Sequence, residues 1–502
     1  MNNQALTTRQ LFPIRLLALL GGLILLWTGC MVGPKYQRPG APAPPAYKEP
    51  PTDNSQELTS WKAAQPSEGE IRGNWWQVYN DPQLNSLEEQ VNISNQNVLA
   101  AEAQFREARY AVRIARSALF PIVSAAPSYV ASRTSANLFN VQAGNLTSGV
   151  RTIYDLPLDL SYQADLWGSI RHSIRASSAT AQATFAQLEN ARLSFHAELA
   201  QDYFQLHGVD GEQELLQRTV KSYQDYLQLT KDRFNAGVAS GADVAQAQTQ
   251  LDTARAQLID LGVSRAQFEH AIAVLTGKSP AAQSLPSTPI KITPPPVPIG
   301  VPSALLERRP DVAAAERQMA FTNEQIGIAK AAYFPALTLT ASGGFEAGKL
   351  AKWFSLPSGI WSVGPQAAET LFDAGRRRAQ VHQQEAAFDA TVANYRQTVL
   401  TAFQQVEDNL AALRILENEA SAEADAVGAA QNALDISTYQ YKAGTVSYLS
   451  VITEQAILLQ DQVQALNILT RRMTASVLLI EALGGGWNAS RLPSAQDLVH
   501  GK

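Results

Sequence analysis

Two hydrophobic periods alternate along this chain. From Leu449, apolar side chains recur at steps of three and four through Ile452, Ala456, Leu459, Val463, Leu466, Thr470, Met473, Val477 and Ile480, with Thr470 the one polar member. Ile174, Ala181, Leu188 and Phe195 recur at steps of seven, beside a parallel row of Phe185, Arg192, Leu199 and Leu206. Such spacing predicts long helices packed side by side as coiled coils. No proline interrupts the chain from Gly375 to Tyr441, so a single helix of about 100 Å is predicted there. Helices this long take their stability from packing on neighbours more than from propensity.

The second period is two. In residues 152–165, Tyr154, Leu156, Leu158, Leu160 and Tyr162 fall on one face, while Asp155, Pro157, Asp159, Ser161 and Gln163 fall on the other. That contrast predicts a strand between an apolar and an aqueous medium. Tyrosines at both ends of the apolar row match the aromatic girdles of membrane barrels. Leu337, Leu339, Ala341 and Phe345 alternate with Thr338, Thr340 and Ser342, and Trp361, Val363 and Ala367 with Ser362, Gly364 and Gln366. Four strands are expected, near 122–133, 152–163, 336–345 and 360–369. Phe120-Pro121 and Phe334-Pro335 mark where a helix stops and a strand begins, because proline lacks the amide hydrogen and disfavours helix at the residue before it. A soluble hairpin laid on the helices would share the period; the aspartates on the polar row favour a water-filled lumen.

These patterns occur twice in the same order. Val98 with Ala101 and Glu102 matches Val312 with Ala315 and Glu316, and Phe120-Pro121 matches Phe334-Pro335, each 214 residues apart. Gly168 matches Gly375, and Gly237 matches Gly444, each 207 apart. Four anchors in one order imply a tandem duplication. The chain then divides into a leader (1–29), a Pro-rich extended segment (30–70), a first repeat (71–278), a Pro-rich linker (279–302), a second repeat (303–486) and a tail (487–502). Each repeat reads helix, strand pair, long helix, turn, long helix.

The N-terminus adds a location. Arg9 and Arg15 precede the apolar run Leu16–Trp27, which is followed by Thr28, Gly29 and Cys30. A basic flank, a short apolar core and small residues read as a secretory leader, and the run is too short to span a bilayer as a mature helix. "TGC" resembles a bacterial lipobox, in which the cysteine becomes the lipidated first residue, although Trp27 stands where leucine is usual. An ordinary leader with an incidental cysteine is the alternative. Several acyl chains, at about 0.8 kcal/mol per buried methylene, would anchor the chain stably. Lipoproteins held at the inner membrane carry aspartate after the cysteine; Met31 stands here and points to the outer membrane. The proline-rich residues 32–51 are expected to be an extended tether.

Composition removes other classes. A formal charge of −5 over 502 residues argues against nucleic acid as the main partner. One cysteine excludes an intrachain disulfide and a cysteine-based zinc site. The six histidines, among them His172, His196, His207 and His382, fit no metal-ligating spacing and are expected on the surface or along a lumen. Gly484, Gly485, Gly486 and Trp487 read as a helix stop. Arg376, Arg377 and Arg378 open a helix below a strand, facing either anionic headgroups or solvent. No converging catalytic groups are visible, so no enzyme activity, cofactor or metal is expected. A lipid-anchored structural coiled coil is the rival reading, but it leaves the two matched strand pairs unexplained.

The expected fold class is therefore an α+β membrane protein, mainly coiled-coil helices with four transmembrane strands. Four strands cannot close a barrel, and open edges are not tolerated in hydrocarbon. Two copies give eight strands and a filled interior, whereas three give twelve and leave room for a passage.

The chain resembles the outer-membrane factor family, the TolC-like efflux ducts, in its lipoprotein branch of NodT or OprM-like type. The carrying residues are "CMVGPKYQRP" at Cys30, "NWWQVYNDPQLNSL" at Asn74, "ALFP" at Ala118, "DLWG" at Asp165, "RFNAGVASGADV" at Arg233, "ERRPDVAAAE" at Glu307 and "YKAGTVSYLSV" at Tyr441. They span nearly the whole mature chain. The resemblance implies a homotrimer with a twelve-stranded barrel and a periplasmic α-barrel, exporting small molecules with a periplasmic adaptor (membrane fusion protein) and an inner-membrane pump of the RND type. It implies adaptor-contacting tips at Gly237, Val238, Gly444 and Thr445, and a periplasmic aperture at Leu449, Ser450 and Thr453. Relatives often carry aspartate at one or both of the last two positions, so an acidic, cation-binding constriction is not implied here. Asp243 and Tyr441 match a family pair that latches the tips; Val446 stands where the family adds an arginine.

Overall fold

The computed structural model describes residues 31–41, 43–49, 73–133, 150–290, 292–297 and 304–500. The leader and Cys30 lie outside them. Helices α1 (Pro82–Ser94) and α2 (Gln96–Ser117) lead to strands β1 (Ile122–Ala125), β2 (Ser128–Ser132) and β3 (Arg151–Ala164), then to α3 (Ser169–Asn235) and α4 (Gly241–Leu275). The second half runs α5 (Leu305–Arg308), α6 (Pro310–Ala331), β4 (Ala336–Ala347), β5 (Gly359–Ala368), α7 (Arg376–Lys442) and α8 (Tyr448–Ala482), with a last turn, α9 (Asp497–His500).

The duplication is visible in helix lengths. α2 and α6 are both 22 residues, α3 and α7 both 67, and α4 and α8 both 35. At 1.5 Å per residue, α3 and α7 are each about 100 Å long. Their boundaries follow local chemistry. Asp81 caps α1 through the amides of Gln83 and Leu84, with Pro82 at the first helical position, and Asn95 caps α2 in the same way. No helix among the described residues is long and apolar enough to cross a membrane.

One antiparallel sheet joins the two repeats, in the order β1/β2, β3, β4, β5. β1 and β2 pair with β3 in one continuous register, so they act as one strand interrupted at Ala126-Pro127, opposite Leu156 and Pro157. The prolines explain the break, since neither can donate to the ladder.

The main core lies midway along the helices. Trp75, Trp76, Tyr79, Tyr203, Phe204, Tyr395 and Met473 pack there with the α3, α6, α7 and α8 aliphatics. Met473, Val477 and Ile480 of the predicted seam are buried in it. The tip half of that seam is corrected. Tyr448, Val451, Gln455 and Leu458 face inward there, whereas of the predicted row Leu449 and Ala456 are exposed and Ile452 and Leu459 half-buried. The buried row is displaced by one residue because α8 packs on α7 through that neighbouring stripe.

Candidate functional site

Directly opposite residues of a sheet share a face. The register therefore extends the two-sided pattern of β3 across the sheet. Leu156, Leu158, Leu160 and Tyr162 stand opposite Phe345, Gly343, Ala341 and Leu339 of β4, and Ala341 and Gly343 stand opposite Val363 and Trp361 of β5. On the other face Asp155 meets Glu346, Asp159 meets Ser342, Ser161 meets Thr340 and Gln163 meets Thr338. One face is hydrocarbon and small residues; the other carries hydroxyls, amides and carboxylates.

Aromatic residues bound the apolar face. At one end Tyr129 and Tyr154 lie 4.9 Å apart between ring centroids, and Tyr154 reaches Trp353 at 5.7 Å. At the helix end Trp167 stacks on Phe334 at 4.6 Å and donates its indole N–H to the Pro335 carbonyl at 2.9 Å. Tyr154 and Tyr162 are eight residues apart, about 26 Å along a strand, matching the apolar band of about 25 Å in outer-membrane barrels. Just beyond the sheet, Asp165 accepts from the Ile170 and Arg171 amides and from the Arg171 guanidinium. Asp373 does the same for Gly375 and Arg377. These clamps lock each strand exit onto the start of a 67-residue helix.

At the far end, the two helical hairpins turn alike. Gly237 and Gly444 have φ of 77° and 78°, the left-handed region that glycine adopts at least cost. Val238 is 64% exposed, and Thr445 is exposed as well. The next turn separates the predicted pair. Asp243 forms a capping box with Ser240, accepting from the Ser240 amide at 2.9 Å. Tyr441 is buried, with its hydroxyl 3.5 Å from Thr230 Oγ1. Within the chain, neither is bonded to the other. Tyr441 instead carries the Arg233 guanidinium over its ring at 4.7 Å, and Arg233 also donates to the Lys442 carbonyl at 3.4 Å. Arg233 thus ties the first hairpin to the second, a role that sequence spacing did not reveal.

Leu449 lines a groove of about 910 Å³ with Ile452, Leu459 and Val463, facing Ala245 and Thr249 of α4 over a floor that includes Leu216 and Tyr223 of α3. Thr453 is exposed and donates its hydroxyl to the Leu449 carbonyl at 3.0 Å; Ser450 is half-buried. No group of metal-ligating side chains occurs among the described residues.

The N-terminal segment is a strap where a tether was expected. The Val32 amide donates to Trp167 O, and His172 Nε2 bonds Val32 O at 3.1 Å. Asn323 donates to Pro34 O, Tyr36 bonds Glu316 Oε1 at 2.6 Å, and Arg38 reaches Tyr395 and the Leu306 carbonyl. Glu407 accepts from the Lys48 and Glu49 amides. Met31 packs on Gly168, so the residue after Cys30 sits at the boundary of sheet and helix.

Three histidines also depart from expectation. His172, His196 and His207 are buried, each at 5% exposure or less. His172 pairs with Glu324, His196 with Glu88 at 2.6 Å while stacking on Trp76, and His207 with the Thr288 carbonyl. Burial, aided by Arg192, lowers the His196 pKa to about 4, and burial raises that of Glu88. They hold helices and linkers together, and His382 alone of the four named is exposed.

A sheet with one apolar and one aqueous face, continued by paired helices of about 100 Å, defines a membrane duct. The comparisons give the same class. A family model described as outer membrane efflux protein matches residues 87–278 and 301–485. The antibiotic efflux pump outer membrane protein ArpC of Pseudomonas putida is 31% identical over 91% of this chain and 93% of its own length. The toluene efflux pump outer membrane protein TtgC of Pseudomonas putida is equally similar, at 31% over 91% and 93%. Among solved structures, the outer-membrane channel OprN superposes with a TM-score of 0.82 at 29% identity, covering 91% of this chain and all of that one. The chain belongs to the outer membrane efflux protein family. It is an outer-membrane channel component of an efflux system, reaching from the outer membrane into the periplasm. The family is one of channels and not of enzymes.

Proposed function

We propose that three copies of this chain close a twelve-stranded barrel and a helical tunnel beneath it, and that the assembly passes small molecules delivered by a periplasmic adaptor and an inner-membrane pump of the RND type. The observation that carries this reading is the four-stranded, two-faced sheet, whose outer strands β1/β2 and β5 each have one edge without a partner among the described residues. Open edges have no place in hydrocarbon, so copies must supply them. The relatives' names cover an antibiotic pump and a toluene pump, which fits a duct that selects little and leaves choice of cargo to the pump. Gly237, Val238, Gly444 and Thr445, exposed at the hairpin turns, are the adaptor-facing positions. Leu449, at 56% exposure, forms the aperture by an apolar ring that excludes water, with Ser450 and Thr453 adding hydroxyls and no charge. The Asp243 and Tyr441 latch acts through Tyr441 held by Arg233, with Asp243 fixing the start of α4. Cys30 carries the lipid, and the position of Met31 against Gly168 supports an anchor at the inner edge of the membrane band.

Native mass spectrometry of detergent-extracted protein tests assembly and anchor together. Three chains per particle are expected, each heavier than the chain from residue 30 by its acyl groups. The added mass should vanish in Cys30→Ser while the trimer persists. A stable monomer with intact strands would overturn the assembly, and equal masses in both proteins would overturn the lipid anchor.

A further inference from the structure

The structure contains its own template for the contact between copies. Inside the chain the two repeats meet where β3 pairs with β4, and the numbers of every pair, from Tyr154 with Ala347 to Ala164 with Leu337, sum to 501. The repeats are related by 214 residues up to the first strand and by 207 from the second strand onward. The flanking helices give each offset singly, α2 ending at Ser117 and α6 at Ala331, α3 beginning at Ser169 and α7 at Arg376, and the hairpins agree with the two taken together. Paired numbers sum to 283 in the first hairpin (β1 with β3) and to 704 in the second (β4 with β5), a difference of 421, which is 214 and 207 together. The duplication therefore holds at single-residue register, not only in helix lengths.

From this we infer the register of the subunit contact, resting on the trimeric reading above: β5 of one copy pairs antiparallel with β1/β2 of the next, with residue numbers summing to 494. The value follows by moving the β3 partner forward by 207 and the β4 partner back by 214. It places Gln366 opposite Ser128, Gly364 opposite Val130, Val363 opposite Ala131 and Pro365 opposite Tyr129.

Three features of the isolated chain agree with it. The faces match, since Ser128 shares a face with Asp155 and Tyr129 with Tyr154, while Gln366 shares one with Thr338 and Pro365 with Leu339. A slip of one residue would turn every side chain to the wrong medium. The same register sets Leu371 against Val123 and Phe372 against Ile122. These four residues are 90%, 65%, 86% and 69% exposed in the lone chain, so the contact covers apolar surface on both copies. Finally, β5 stops at Ala368, whereas β3 runs to Ala164, whose counterpart is Leu371. The partner copy extends β5 by the missing turn of the ladder.

The two seams are not equal. In the chain, Trp167 stacks on Phe334 and bonds Pro335 O. At the subunit seam Ala374 takes the place of Trp167, opposite Phe120, so neither the stack nor the indole bond is repeated. The subunit seam therefore lacks that anchoring pair.

Oxidative cross-linking in membranes tests the register. Directly opposed cysteines fall within disulfide reach, and positions two residues off register do not. The pair Ser128→Cys with Gln366→Cys should give covalent dimers and trimers on denaturing gels. Ser128→Cys with Gly364→Cys, and Val130→Cys with Gln366→Cys, should give at least fivefold less. Each single variant serves as the control for linkage through Cys30. Stronger cross-linking of either off-register pair would overturn the register while leaving the trimer standing. A trimer by native mass that none of the three pairs links would overturn the strand contact itself. A monomer by native mass would remove the trimeric reading first.

Discussion

At Gly327 the packing leaves room for a hydrogen and nothing more. A Cβ built there would lie 2.4 Å from the His172 ring, whose nitrogens hold Glu324 and the Val32 carbonyl. Gly327→Ala must displace that ring and loosen the strap, at a cost of roughly 1–3 kcal/mol. Gly428 is the control, since it is exposed in α7 with nothing within 4 Å of its added methyl. Gly428→Ala should stabilise by about 0.5–1 kcal/mol through helix propensity. Thermal unfolding should therefore shift in opposite directions, and limited proteolysis should release the N-terminal segment faster in Gly327→Ala only. Equal shifts would mean the imidazole is not what holds the strap. Roles of this kind were illegible in the sequence for a physical reason. Glu88 is 108 residues from His196, and Glu324 is 152 from His172. No local spacing records such pairs, so these histidines looked like surface or lumen residues. The lipidation expected at Cys30 rests on a leader, which is a local signal, and Cys30 lies outside the described residues.

Among the elements, the strands were the most legible. A strand between oil and water must alternate at period two, and each predicted strand overlaps an observed one, the first split by Pro127. The tip half of α8 was less legible, because an apolar row can face a groove as well as a core. Leu449, Ile452, Leu459 and Val463 line the groove, while Val451 and Leu458 are buried beside them. The two-faced sheet makes a sharp prediction. Leu158 is 56% exposed on the apolar face, and Ser161 lies on the opposite one. Leu158→Arg should cost about 2–4 kcal/mol near the bilayer midplane and deplete the protein from outer membranes. Ser161→Arg should assemble normally and lower single-channel conductance, because it adds charge and bulk to the lumen. If Leu158→Arg assembles as well as wild type while Ser161→Arg does not, the two faces are assigned the wrong way round.

For the whole molecule, duplication was readable and closure was not. Equal helix lengths and the 207-residue offsets give one chain a pseudo-twofold plan, whereas the shut or open state of the tunnel depends on how hairpin tips of several copies converge. The contacts at the tip indicate where that balance is set. Arg233 on the first hairpin sits over the Tyr441 ring of the second, and Tyr441 packs on Tyr448 at 5.3 Å beside Val451. A partly desolvated cation over an aromatic ring contributes about 0.5–2 kcal/mol. Arg233→Gln removes that contact and should shift the closed-open balance by about 2- to 30-fold, read as higher open probability in planar bilayers. Tyr441→Phe keeps the ring and loses only a hydroxyl 3.5 Å from Thr230, so its effect should be small; Tyr441→Leu should match Arg233→Gln. The double variant Arg233→Gln with Tyr441→Leu should conduct little more than either alone, as expected for one shared interaction. Asp243→Asn should leave gating nearly unchanged, since that carboxylate is engaged in the Ser240 capping box. Leu449→Ala acts independently, widening the aperture and raising unitary conductance without changing open probability. If Tyr441→Phe and Asp243→Asn both open the channel while Arg233→Gln does not, the hydroxyl and the carboxylate form the latch across copies, and the arginine contact is only packing.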